Sequence, residues 1–214
     1  MPIVFEESLG VDTTIALWKI EETAQELENQ LQLKAHEISF LRKLVGEKRN
    51  LQWLATRVLL RKMLKTNAYI DVRCDENGKP YLQSQSHHIS LSHSYGYAAV
   101  IISQSKKVGI DIEIIKPKIE KIAHKFLNDN EFTQIDKRNT ILYLYACWCA
   151  KEALYKLNGQ RETSFKNNIF LNPFIFEPSG CFNASIIKNP QHDTFTVYYK
   201  QVGAYMLGYV QANN

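Results

Sequence analysis

The stretch Val108-Gly109-Ile110-Asp111-Ile112-Glu113 has the alternating pattern of a β-strand with two different faces. Alternation places the branched apolar residues on one face, and Gly109, Asp111 and Glu113 on the other. Two neighbouring carboxylates repel each other, so this face calls for a cation, a basic partner or solvent. Paired oxygen ligands suit a hard divalent ion such as Mg²⁺. A sheet edge with a solvated polar face is the alternative, and the strand alone leaves both open.

Size and composition set the limits for the rest of the chain. Its 214 residues suffice for one ample core or for two small halves packed together. Apolar and charged contents of 45% and 22% are typical of an ordinary globular protein. The net charge of +4 suits a polyanionic ligand or an acidic protein, although many proteins carry as much for solubility alone. The basic residues form no concentrated run with interleaved aromatics, so we expect no nucleic-acid partner.

The cysteines and the apolar segments predict the cellular compartment of the protein. Cys147 and Cys149 are two apart in a helical pattern and point in nearly opposite directions, which argues against a zinc site. A disulfide framework is equally unexpected in a chain of this size. No apolar run approaches the roughly 18 to 20 residues of a membrane span, and the acidic first ten residues lack a signal pattern. We therefore expect a cytoplasmic protein with no membrane partner.

The order of elements predicts an α+β fold of two similar halves, 1–105 and 106–214, although no sequence repeat is obvious. Strands in the first half are expected at 13–20, 69–73, 88–92 and 97–103, and helices at 21–33 and 36–64, the latter divided near Gly46. Strands in the second half are expected at 107–115, 168–176, 181–187, 194–200 and 203–210, and helices at 119–126, 131–138 and 139–157.

The longest predicted helix carries a third acidic residue within the run Trp148-Cys149-Ala150-Lys151-Glu152-Ala153-Leu154-Tyr155-Lys156. Helical spacing puts Trp148, Glu152 and Lys156 along one face. Glu152 and Lys156 alone are typical of an exposed ion pair worth about 0.3–0.5 kcal/mol. Trp148 argues mildly against that interpretation, because an indole usually marks a face that is at least partly buried.

Three other segments carry groups suited to phosphate. Ser92-His93-Ser94 follows an apolar strand and indicates a phosphate contact, a hydrolase base or a histidine that caps a turn. No Gly-x-Ser-x-Gly elbow supports the hydrolase. Lys79, in the turn Asn77-Gly78-Lys79-Pro80, and Arg57, on a helix, are each typical of solvated surface residues. They become informative if they converge, because ammonium and guanidinium groups bind phosphate.

Taken together and in order, these segments resemble the 4′-phosphopantetheinyl transferases of the larger, surfactin-type branch. The matching motifs, within about residues 50 to 160, are Ala55-x-Arg57-x-Leu59-Leu60, Gly78-Lys79-Pro80, Ile89-Ser90-Leu91-Ser92-His93-Ser94, Gly109-Ile110-Asp111-Ile112-Glu113 and Trp148-x-x-Lys151-Glu152-Ala153-x-x-Lys156. The resemblance implies transfer of the phosphopantetheine arm of coenzyme A to a serine of an apo acyl or peptidyl carrier protein, with release of 3′,5′-ADP. It also implies two pseudo-symmetric α/β halves, with the active site in the cleft between them. Such a chain is expected to be a monomer.

The resemblance assigns expected roles residue by residue. Asp111, Glu113 and Glu152 match the ligands of Mg²⁺, the implied cofactor. The matches to positions that bind coenzyme A, the co-substrate, are Arg57, Lys79, Pro80, Ser92, His93, Asp111 and Lys156. Glu152 and Lys156 are the expected catalytic residues, with Glu152, or a metal-held water, as the base for the attacking serine. Basic groups would complete an electrostatic cradle for the phosphates.

Two departures from the family pattern concern recognition more than chemistry. Gly159-Gln160-Arg161-Glu162 is more highly charged than the glycine-rich, apolar stretch that often follows the helix motif. The basic residue for the 3′-phosphate is not assigned, because Lys34, Arg42, Lys43, Lys48 and Arg49 compete for the role. An apolar edge for an acidic, helical carrier protein could come from Phe126, Leu127 and Phe132, or these three could belong to the core.

Two other functions compete with an active transferase. One is a catalytically silent relative that binds coenzyme A or a carrier protein. Retention of Asp111, Glu113, Glu152 and Lys156 counts against it, because binding alone does not need all four. The other is a magnesium-dependent phosphoesterase or a nucleic-acid-binding protein, which the dispersed basic residues disfavour.

Overall fold

The computed structural model describes residues 3–44, 46–188 and 190–212. The end residues of the predicted halves, 1–2 and 213–214, lie outside the described residues. The strands are β1 (Ile3–Ser8), β2 (Thr13–Lys19), β3 (Val72–Cys74), β4 (Pro80–Leu82), β5 (His88–Ser94), β6 (Tyr97–Ser103), β7 (Val108–Ile114), β8 (Ile169–Leu171), β9 (Ser179–Lys188), β10 (Gln191–Val202) and β11 (Tyr205–Gln211). The helices are α1 (Ala24–Glu28), α2 (Ala35–Lys43), α3 (Glu47–Met63), α4 (Ala123–Phe126), α5 (Asp129–Thr133) and α6 (Thr140–Asn158), with a 3₁₀ turn at Pro117–Ile122.

Two antiparallel sheets form the framework. The first has the order β1-β2-β6-β5, and the second the order β7-β11-β10-β9-β8, while β3 and β4 form a separate ribbon. The α+β class expected from the order of elements is therefore confirmed.

Two predicted helices are much shorter than expected. The helix predicted at 21–33 is reduced to α1, which begins with a capping box at Thr23. Beyond α1, Leu31 and Leu33 pack against the core and Gln32 donates a hydrogen bond to the Asn67 carbonyl at 3.0 Å. Tertiary contacts therefore override local helical propensity there. The helix predicted at 131–138 is reduced to α5, because the Asp136 side chain accepts the Arg138 amide and makes a turn.

The core has three parts, and one of them joins the sheets. One part packs α3 on the first sheet, and a second packs α6 on the other sheet. The third lies between the sheets, where Val108, Ile110 and Ile112 of β7 meet Ile15 and Ile101 of the first sheet. The apolar face of β7 therefore belongs to the junction between the sheets, and its acidic face is turned away from that junction.

Three serines of β5 bind the outer edge of β7. Their hydroxyl oxygens accept backbone hydrogen bonds from alternate residues of β7. The three bonds run from Ile110 to Ser90 at 3.1 Å, from Ile112 to Ser92 at 3.3 Å and from Ile114 to Ser94 at 3.1 Å. A Ser-x-Ser-x-Ser pattern points every hydroxyl to the same face of its strand, which matches the spacing of those amides. We call this contact the serine ladder.

Two further observations concern the cysteines and the helices. All four cysteines are free, with Cys147 and Cys149 buried and Cys74 and Cys181 exposed. Within the described ranges, no helix combines the length and the apolar character that crossing a bilayer requires.

Candidate active site

Two glycines allow α6 to lie directly on the acidic face of β7. A Cβ atom on Gly109 would lie 1.9 Å from the carbonyl oxygen of Ala153, and one on Gly208 of β11 would lie 2.7 Å from the carbonyl carbon of Cys149. Neither position has room for a side chain. The close approach places the helix that carries Glu152 and Lys156 over the strand that carries Asp111 and Glu113. The strand face is therefore covered, and the solvated-edge alternative does not hold.

Asp111 is the most deeply buried of the expected metal ligands. Its Oδ1 accepts hydrogen bonds from Lys156 Nζ at 2.7 Å and from Ser92 Oγ at 2.8 Å. Its Oδ2 is also buried but has no hydrogen-bond partner among the described residues. A buried carboxylate oxygen without a partner is costly unless a donor or a cation reaches it. Lys156 pairs with Asp111 and with the Ile110 carbonyl at 3.0 Å, and the expected surface pair with Glu152 is absent from the described ion pairs.

Negative charge is crowded around Asp111. Burial and the charge of Asp111 raise the pKa of Glu113, whose carboxylate accepts a hydrogen bond from Ser94 Oγ at 2.9 Å. Burial, with the charge of Asp111, also raises the pKa of Glu152 to about 7, although Lys156 opposes that shift. Such shifts are expected where carboxylates meet away from bulk water. We refer to Asp111, Glu113 and Glu152 as the acidic cluster.

The acidic cluster fits a hard divalent cation by its chemistry. Across the described ranges, no three Asp, Glu, His or Cys side chains are already arranged as a metal site. The unpartnered Oδ2 of Asp111 and the crowded carboxylates are nevertheless what Mg²⁺ would satisfy, because it binds oxygen ligands and neutralises their charge. The residues present therefore fit the implied cofactor.

A cavity of about 240 Å³ lies at the end of α6, and we call it the interface cavity. It is linked to the acidic cluster through Lys156, which lines the cavity and pairs with Asp111. Its lining includes Lys79, Pro80, Tyr155, Lys156 and Arg161. Lys79 Nζ donates a hydrogen bond to the carbonyl of Leu157, in the last turn of α6, at 2.7 Å. Burial, together with the charge of Lys107, lowers the pKa of Lys79 to about 8. The structure therefore brings the turn at 77–80 to the same cavity as the helix motif.

Arg57 is the expected site residue that lines a different cavity. It lines a narrow cavity beside Glu37 and Tyr69, and its guanidinium lies 4.1 Å from the centre of the Trp53 ring. Its Nε is buried without a partner among the described residues, and burial lowers the pKa of Arg57 to about 10. Arg57 is therefore tied to the fold through Trp53, and its buried Nε remains an unused donor.

His93 lies on the exposed face of β5, between two sources of positive charge. Desolvation of part of its ring lowers its pKa, and the charges of Lys156 and Arg57 add to the effect. Ser92, by contrast, is buried in the serine ladder with its hydroxyl on Asp111. Neighbouring residues of one strand thus face opposite sides, as alternation requires.

Lys151 is a structural residue of this region to which the sequence pattern assigned no role. It is fully buried, and its Nζ donates to Glu131 Oε2 at 2.7 Å and to the carbonyls of Phe165 and Ile169 at 2.9 and 2.8 Å. Glu131 in turn accepts the Leu171 amide at 2.9 Å. The network fixes α5 and the segment after α6 to the helix that carries Glu152. The sequence did contain one indication of this role, because Lys151 lies on an apolar helix face, where a lysine needs a buried partner.

The apolar edge considered for a carrier protein lies largely in the core. Phe126 and Leu127 are buried, and Phe132 is partly buried against the same cluster. Phe126 packs edge-on against Trp148, with ring centres 5.0 Å apart. The core alternative is therefore the one that the structure supports for Phe126 and Leu127.

Comparison with known proteins identifies a matching family and several relatives. Residues 107–210 match the model of the 4′-phosphopantetheinyl transferase superfamily. The chain is 34% identical over 97 residues to a 4′-phosphopantetheinyl transferase of Bacillus subtilis, a match that covers 44% of this chain and 43% of the relative. It is 31% identical over 111 residues to the 4′-phosphopantetheinyl transferase Sfp of Bacillus subtilis (strain 168), covering 50% of this chain and 49% of the relative.

A third relative extends the comparison to another genus. The chain is 31% identical over 117 residues to the 4′-phosphopantetheinyl transferase AcpT of Salmonella typhi, covering 52% of this chain and 60% of the relative. The chain thus spans about half the length of the curated relatives it matches. The matched family region contains both the acidic strand and the helix that lies on it. Residues 107–210 are thus the part of the chain that is similar to the 4′-phosphopantetheinyl transferase superfamily.

Proposed function

We propose that this protein transfers the 4′-phosphopantetheine arm of coenzyme A to a serine of an apo acyl or peptidyl carrier protein, in a magnesium-dependent reaction that releases 3′,5′-ADP. The observation that supports this most is the contact between β7 and α6, which brings three carboxylates close to Lys156, a residue that lines the interface cavity. The relatives are themselves named 4′-phosphopantetheinyl transferases, which supports the same activity.

The acidic cluster would hold Mg²⁺, which when bound would neutralise charge on the pyrophosphate. Lys156 adds a fixed positive charge beside the cluster, where its ammonium can pair with a phosphate oxygen. Glu152 is the proposed general base. It is partly buried, and none of the described residues donates a hydrogen bond to it, so an oxygen that does not bind Mg²⁺ can accept the serine proton.

The remaining proposed residues bind and orient coenzyme A. Lys79 and Pro80 line the interface cavity, where the ammonium of Lys79 would face phosphate oxygens and the Pro80 ring would pack against the adenine side. His93, on β5, and Arg57, on α3, would contribute further phosphate contacts. Ser92 would act through Asp111, because its hydroxyl is already committed to that carboxylate and to the serine ladder.

The proposed organisation is two pseudo-symmetric halves that divide near residue 105 and hold the site between them. Each of the two sheets falls within one half, which supports this division. Because one chain supplies both sheets, the proposed working form is a monomer. Four free cysteines favour a reducing compartment, so we place the protein in the cytoplasm.

The test is intact-mass analysis of an apo acyl carrier protein and an apo peptidyl carrier protein, each incubated with this protein and coenzyme A. Parallel samples contain Mg²⁺ or a chelator. We expect a mass gain of one phosphopantetheine unit with Mg²⁺ and none with the chelator. A gain of equal rate in the chelator would contradict the metal dependence, and no gain on either carrier would contradict the transfer.

A matched pair of variants tests the proposed base. Glu152→Gln preserves the shape of the side chain but cannot accept the proton, so transfer should be lost while coenzyme A still binds in a calorimeter. Glu162→Gln makes the same chemical change at an exposed position beyond the end of α6 and should leave transfer intact. Normal turnover by Glu152→Gln would remove Glu152 from the mechanism.

A further inference from the structure

Arg161 lies in the charged segment after α6, which departs from the family pattern, and it has no role in the proposed function. It lines the interface cavity together with Lys79 and Lys156. Among the described residues that line this cavity, none is Asp or Glu. The cavity is therefore a positively charged space of about 240 Å³, which suits a small polyanion.

The chain turns back after α6, so that Arg161 lies against the turn at 77–80. Gly159 directly follows the last residue of α6, and its φ of 70° lies in the left-handed region that a glycine adopts without strain. Arg161 then donates a hydrogen bond from Nε to the carbonyl of Asn77 at 2.9 Å. Its Nη2 lies so close to Gly78 that a Cβ atom there would be 3.2 Å away. A contact between residues 84 positions apart in the chain thus holds the guanidinium at the rim of the cavity.

Arg161 differs from the other two cations because its charge is not already engaged. Lys156 forms an ion pair with Asp111, and Lys79 donates to the carbonyl end of α6. Within the described part of the chain, neither terminal nitrogen of Arg161 has a hydrogen-bond or ion-pair partner. A guanidinium has five N–H donors, so four remain available for an anion.

We propose that Arg161 is a specificity-determining residue that binds a phosphate group of the nucleotide part of coenzyme A through its terminal nitrogens. This inference rests on the proposed function. The bond from Nε fixes the plane of the guanidinium, and a planar fork can then bind two phosphate oxygens at once. A lysine at this position would retain the charge but could not both hold Asn77 and present such a fork.

Calorimetric titration with 3′,5′-ADP, the proposed product, tests the assignment. Charge-assisted hydrogen bonds of this kind lead us to expect that Arg161→Ala weakens binding about ten- to a hundredfold. Arg161→Lys should give an intermediate affinity. The matched control is Arg138→Ala, which removes the same charge from an exposed position beyond the opposite end of α6 and should bind like the wild type.

Steady-state transfer and thermal unfolding separate recognition from a structural role. Recognition predicts a raised KM for coenzyme A, an unchanged kcat and an unfolding midpoint close to that of the wild type. Equal affinity of Arg161→Ala and the wild type would overturn the inference and leave the proposed function standing. If Arg161→Ala fails to fold, wild-type affinity of Arg161→Lys overturns it instead. A wild-type protein that neither binds 3′,5′-ADP nor transfers would contradict the proposed function itself.

Discussion

Replacing Gly109 by alanine perturbs the contact that brings β7 and α6 together. The new Cβ atom would lie 1.9 Å from the carbonyl oxygen of Ala153 and 2.9 Å from the amide nitrogen of Leu157. Both atoms belong to the helix backbone, so no side chain can rotate to make room. Restoring a separation of 3.0 Å requires α6 to move away from β7 by about 1 Å.

This movement acts directly on the site, because Ala153 is the neighbour of Glu152 and Gly109 lies two residues from Asp111. Overpacking of a well-filled core costs about 1–3 kcal/mol of folding free energy. A displacement of about 1 Å between reacting groups can lower a rate by about 100-fold. We therefore expect Gly109→Ala to fold with reduced stability and to lose far more activity than its stability alone explains.

The assay compares the initial rate of carrier-protein modification with the free energy of unfolding obtained from a urea titration. Gly96→Ala is the matched control, because a Cβ atom there would lie 3.9 Å from the Tyr205 hydroxyl, an ordinary contact. It should retain both activity and stability. Wild-type activity in a folded Gly109→Ala protein would refute the reasoning, since it would mean that the strand and helix need not touch for the site to work.

Three further predictions concern other parts of the molecule. Lys151→Met should lower the free energy of unfolding, measured by urea titration, by about 3–5 kcal/mol, because it leaves Glu131 as a buried charge without its cation. Adding Glu131→Gln to this variant should recover part of the loss in the same titration. Under native conditions at neutral pH, mass spectrometry should find Cys74 and Cys181 alkylated within minutes. Cys147 and Cys149 should react only after unfolding, because burial raises the pKa of both thiols. Four equally reactive thiols would contradict the fold. Ser92→Ala removes the acceptor of the Ile112 amide and a donor to Asp111, so the free energy of unfolding should fall by about 1–3 kcal/mol in chemical denaturation. An unchanged denaturation midpoint would exclude the serine ladder as a stabilising contact.

The strand and helix motifs were predictable because their patterns are local. Alternation in 108–113 correctly divided apolar residues from carboxylates, and helical spacing correctly placed Glu152 and Lys156 on one long helix. The partner of Lys156 was not predictable in the same way. It bonds Asp111, which is 45 residues away, because Gly109 lets the helix approach the strand. The sequence shows a glycine there without showing what it makes room for.

Long-range partners also explain the features that the sequence patterns missed. Ser92 and Ser94 were interpreted through their histidine neighbour, and Ser90 was only part of a motif, although all three hydroxyls bind the edge of β7 about 20 residues later. Lys151 was passed over because its partner Glu131 lies on a separate short helix. Arg161 stood out in the sequence as a departure from the family pattern, and the cavity that it lines forms only when 77–80 meets the end of α6.

The serine ladder also bears on how this chain avoids aggregation. Unpaired amides on the edge of a sheet invite pairing with a strand of another molecule. Hydroxyls occupy three such amides on β7, so no further strand can add there while the sheets stay together. Separation of the sheets would uncover those amides together with the apolar face of Val108, Ile110 and Ile112. Protection against cross-chain β-pairing therefore depends on the same junction that positions the acidic cluster.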